Sequence, residues 1–142
     1  MIYYLCNEAV LQLHELHSLV DLTRHCLEIR TEDGTDLQFV IERARPVANV
    51  SLAASVESSL AERRRSVRGF ELVSVTEREY PDIAGLEARM TYIDSVRGPL
   101  FAYELHCVLD GTQVTFQGSS RMPHAAACDE WMQTTLRDLK LR

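Results

Sequence analysis

Residues 68–95, RGFELVSVTEREYPDIAGLEARMTYIDS, constrain the fold more than any other stretch, because they read as two long strands joined across a turn from Pro81 to Gly85. Strands joined by so short a turn pair antiparallel. An amphipathic helix runs directly into this hairpin. Ser51 stands where an N-cap is expected, its hydroxyl able to accept from a free backbone N–H. Leu52, Val56 and Leu60 then form one stripe to about Val67, and Arg63, Arg64, Arg65 and Arg68 gather at the negative end of the helix dipole before Gly69.

The remaining chain is also mostly strand. Residues 2–5 and 8–14 read as two short strands, and residues 20–30 and 36–43 as a hairpin turned by Glu32-Asp33-Gly34-Thr35. Leu37, Phe39 and Ile41 alternate with Gln38, Val40 and Glu42, giving one apolar and one mixed face. After a turn at Val96-Arg97-Gly98-Pro99, residues 100–109 alternate Phe101, Tyr103, Leu105 and Cys107 against Ala102, Glu104, His106 and Val108. Asp110-Gly111-Thr112 turns the chain into a strand over 113–119. Pro123 opens a last helix whose Cys128, Met132, Leu136 and Leu139, with Trp131, mark a buried side. This order predicts a single α+β domain over residues 1–142, a mainly antiparallel sheet covered by two helices.

Composition narrows the function. A chain of 142 residues with 46% hydrophobic content buries roughly two thirds of its unfolded surface. Its 21 acidic against 15 basic side chains leave a charge of -6, which disfavours nucleic acid as a partner. No leader with a basic n-region opens the sequence and no run of about 18 apolar residues follows, so a cytoplasmic protein without stable membrane insertion is expected. Cys6, Cys26, Cys107 and Cys128 are scattered without a C-x-x-C pair, as expected of reduced thiols.

No catalytic, cofactor or metal constellation emerges. His14 and His17, or His25 beside Cys26, lack partners that would complete a coordination set. His106 and Cys107 are strand neighbours facing opposite ways, so they do not form a nucleophile and its base; a dyad of Cys107 or Cys26 with another histidine is the remaining enzymatic alternative. Asp129 with Glu130, and Glu32 with Asp33, are read as solvated pairs, and the arginines at the helix end as a solvated charge set. The glycines form no phosphate loop. What stands out is the second sheet face, assigned Gln38, Val40, Thr91, Ile93, Ala102, His106, Thr115 and Gln117, which is neither oily nor charged throughout. Such a face suits an apolar partner helix; water, or a helix of the same chain, is its more ordinary cover.

Five segments, IYYLCNE (2–8), the alternation Asp21, Thr23, His25, Leu27, LQFVIER (37–43), RGFEL (68–72) and GLEA (85–88), resemble the DUF1795 (DcrB-like) family, and within it the Eag chaperones of type VI secretion effectors. The resemblance implies a Mog1/PsbP-like fold and a homodimer whose curved sheets hold hydrophobic, transmembrane-like N-terminal segments of an effector before export. It places groove positions at Leu22, Arg24, Cys26, Gln38, Val40 and Glu42, to which the alternation adds Thr91, Ile93, His106 and Gln117. Arg24 and Glu42 depart from the small or aliphatic types expected there. A Mog1-like adaptor that grips a folded partner through charged loops is the alternative.

Overall fold

The computed structural model describes residues 2–5, 10–13 and 22–141. Strands β1 (Ile2–Leu5) and β2 (Val10–Leu13) pair antiparallel as a separate ribbon. The strand ends expected at residues 8, 9, 14, 20 and 21, and the side chains of His14 and His17, lie outside the described residues.

The main sheet contains β3 (His25–Arg30), β4 (Asp36–Ala44), β5 (Glu71–Glu79), β6 (Ala84–Asp94), β7 (Gly98–Leu109) and β8 (Thr112–Arg121). Its six strands are all antiparallel, in the order β3-β4-β8-β7-β6-β5. Both Asp-Gly turns form as expected. Gly34 has φ +85°, and in the second turn Asp110 and Gly111 have φ 49° and 74°, a left-handed pair that matches the twist of a tight hairpin.

Helix α1 (Leu52–Ser66) begins at Ser51, whose hydroxyl accepts from the Ala54 N–H at 3.1 Å. Its Val56 and Leu60 pack on Ala88, Met90 and Ala102 of β6 and β7. Helix α2 (Ala125–Arg137) follows a single 3-10 turn, Met122–His124, so Pro123 opens that turn and not the helix itself. Cys128, Met132 and Leu136 pack on Phe101, Tyr103, Leu105 and Cys107. Since Ala102 alternates with Phe101 and Tyr103 along β7, the two helices cover opposite faces of one sheet. A side chain at Gly118 would collide with Met132, so this glycine is what lets α2 approach β8 so closely.

Candidate functional site

Residues paired directly across antiparallel strands share a face, so the register assigns each expected groove residue. Cys26 pairs with Val40, Val40 with Gln117, and Gln117 with Glu104. Glu42 pairs with Thr115, and Thr115 with His106. These residues, with Gln38, therefore share the α1 face of the sheet. Arg24 joins them through an exposed ion pair with Glu42 at 2.8 Å, and Leu22 is half exposed just before β3. Val40 and His106 are buried at 2% and 3% exposure, so they form floor and not open surface.

Two positions are corrected. Thr91 pairs with Phe101 and Ile93 with Pro99, which places them on the α2 face, opposite Val40 and His106. The physical cause is the phase of β6: Leu86, Ala88, Met90 and Tyr92 turn toward α1, while Glu87 and Arg89 turn toward α2. Glu87 accepts from Tyr103 Oη and Arg89, and Arg89 also donates to Asp129 on α2. Asp129 is thus an anchor between helix and sheet, not a solvated partner of Glu130.

Arg63 is also misread. It lies in the last turn of α1 but turns onto the sheet, where its guanidinium clamps Glu104 of β7 through both nitrogens. Glu104 is fully buried, and it also accepts from His106 Nε2 at 2.8 Å and Gln117 Nε2 at 2.6 Å. Burial pushes the Glu104 carboxyl up, but the hydrogen bonds from His106 and Arg63 and the Arg63 charge outweigh it, holding the pKa below the ordinary glutamate value. A lone Glu within a strand alternation carried no signal of its partner, which sits 41 residues away.

Above this network lies a cavity of about 330 Å³, lined by Glu42, Arg63, Val67, Phe70, Tyr92, Glu104, Thr115 and Gln117. Its walls are apolar at Val67 and Phe70 and its floor is polar. A larger cleft, about 720 Å³, runs beside α2 between Arg78, Tyr80, Phe101, Gln133 and Arg137. Two of the charges around it are engaged internally: Asp129 with Arg89 and Gln133, and Arg137 with Asp138.

Among the described residues the thiols show no activated pair. Cys107 lies on the α2 face, its thiol donates to the Val114 carbonyl at 3.4 Å, and burial pushes its pKa up to about 11. His106 points to the other face, toward Glu104 and Thr115. Cys26 is exposed on the edge strand β3. Among the described residues no cluster of histidine, cysteine and carboxylate could hold a metal ion, and no helix is long and apolar enough to cross a membrane.

A six-stranded antiparallel sheet with a helix on each face defines an α+β protein of the PsbP/Mog1-like fold. No family model matches the chain, and no curated protein matches it in sequence. In structure it is similar to a Pseudomonas aeruginosa protein of unknown function, with a TM-score of 0.78 over 99% of this chain and 96% of that one at 14% identity. It is also similar to the cyanobacterial PsbP of Synechocystis, with a TM-score of 0.50 over 89% and 95% of the two chains at 11% identity. Identities this low carry the fold alone.

Proposed function

We propose that the protein is a cytoplasmic chaperone that shields a hydrophobic, transmembrane-like N-terminal segment of a type VI secretion effector before export, acting as a homodimer. The observation that carries this reading is the cavity on the α1 face, where Val67 and Phe70 stand beside a polar floor of Thr115 and Gln117. An apolar helix left in water aggregates or inserts prematurely, because each CH₂ it buries is worth about 0.8 kcal/mol. A half-apolar trough offers reversible refuge, and its amide and hydroxyl groups satisfy small polar groups on the client. The charge of -6 keeps the loaded complex in solution.

Co-expression with the apolar N-terminal segment of an effector encoded next door tests the proposal. Co-purification, and its loss in Thr115→Arg, which fills the cavity from a half-buried position, are the expected results. No gain in solubility of the segment sinks the reading. Salt-sensitive binding to a folded protein, indifferent to Thr115→Arg, would point instead to the adaptor.

A further inference from the structure

The outer strand of a sheet carries a row of main-chain N–H and C=O groups open to a further strand, and natural edges guard them with lysine, proline, a bulge or a covering element. Strand β5 carries one bulge, between Leu72 and Ser74, and none of the other guards among the described residues. It bonds only to β6 and is exposed along most of its length, Val73 at 62% and Val75 at 40%. The helices leave it open, since α1 packs over β6 and β7 and α2 over β7 and β8. The register to β6 places Glu71, Ser74, Thr76 and Arg78 on the α2 face and Leu72, Val75 and Glu77 on the α1 face, the bulge absorbing Val73.

This order is complementary to itself. A second copy laid antiparallel, with Val75 opposite its own counterpart, sets Ser74 against Thr76, the Leu72–Val73 bulge against Glu77, and Glu71 against Arg78, every pair on a shared face. The two-fold makes each of these pairs twice, valine on valine at the axis and carboxylate on guanidinium at both ends. Moving the axis to Ser74 or Thr76 loses both ion pairs. The Arg78 guanidinium has capacity for one, since it lies over the Tyr80 ring and reaches Gln133 Oε1 only at 3.4 Å and Glu87 at 3.9 Å. We infer that β5 is a dimerisation edge, pairing with β5 of a second copy about a two-fold axis at Val75 and joining two sheets into one. This rests on the homodimer of the function proposed above and gives it a surface. Such an axis keeps the faces aligned, so the α1-side cavities of both copies open in the same direction.

Sedimentation of the full chain over a range of concentrations is the first test. A dimer is expected, and Val75→Lys and Glu71→Arg, both at exposed positions, should each weaken it roughly tenfold or more, because the two-fold counts every like-charge contact twice. Val108→Lys, at an exposed valine on β7, should leave it unchanged. The register is read by cross-linking in a Cys6→Ser, Cys26→Ser background. Val75→Cys sets a thiol opposite its own copy at about 4.5–5.5 Å between Cα atoms, within disulfide reach, and is expected to link on mild oxidation. Val73→Cys is at a more exposed position but lies opposite Glu77, roughly 13 Å along the strand from its counterpart, and should not link. A solution dimer that links equally at both positions or at neither, or that ignores Val75→Lys, overturns this pairing and leaves the homodimer standing. A chain that stays monomeric at every concentration overturns pairing and homodimer together, while co-purification with the client segment judges the shielding function separately.

Discussion

Glu104 carries the largest electrostatic consequence of any single residue, because a carboxylate with no exposure is stable only while its donors hold it. Removing one partner of a buried pair costs more than the pair contributes. Arg63→Met is therefore expected to lower the unfolding free energy by about 3 kcal/mol, the low end of the usual range since Arg63 is partly exposed. Urea unfolding should show that Arg63→Met combined with Glu104→Leu recovers much of that loss; a double variant as weak as the sum of its singles would refute the coupling. The pH dependence has a definite sign. The folded pKa of Glu104 is depressed, so its contribution is complete above the unfolded value of about 4.3 and is lost as pH falls through the lower folded value. Glu104→Gln should accordingly flatten the acid limb of the stability profile.

At the scale of elements, α2 is held to the sheet by close packing at Gly118 and by the bridge from Arg89 to Asp129. Gly118→Ala inserts a methyl where Met132, itself fully buried, has no room. Overpacking of this kind costs about 1–3 kcal/mol, and thermal unfolding followed by helical circular dichroism should report it. An unchanged Tm would mean that α2 rides over β8 more loosely than described. Much at this scale was legible from sequence. The two Asp-Gly turns, Ser51, the stripe of Val56 and Leu60, and the alternation of β4 and β7 all have strictly local causes, and each forms where its residues predict. The residues expected to line a groove on β4, β7 and β8 were placed on one face for the same reason. Thr91 and Ile93 were not, because β6 has apolar residues in one phase and charged partners of Tyr103 and Asp129 in the other. Only the tertiary partner decides which phase faces which helix. Arg63 was hidden in the same way, since a basic residue at a helix end is accounted for by the dipole until Glu104 is seen beneath it.

The molecule as a whole is a sheet with a helix on each face, and its described cysteines sit at contrasting depths in that arrangement. Cys107 and Cys128 are fully buried in the α2-side core, and burial pushes both thiols up to about 11. Cys26 is exposed on β3, a strand bonded on one side only among the described residues. Alkylation requires both access and thiolate, so the two buried thiols should react only when α2 leaves the sheet, whereas Cys26 needs no opening. Brief treatment of the native protein with iodoacetamide, followed by peptide mass spectrometry, is expected to label Cys26 and to leave Cys107 and Cys128 unmodified until denaturant reaches the unfolding transition. Because the buried pair shares one core cluster, both should become reactive at the same denaturant concentration. Labelling of Cys128 well before Cys107 would show instead that α2 detaches as a separate unit, and would place the weak seam of the fold between that helix and β8.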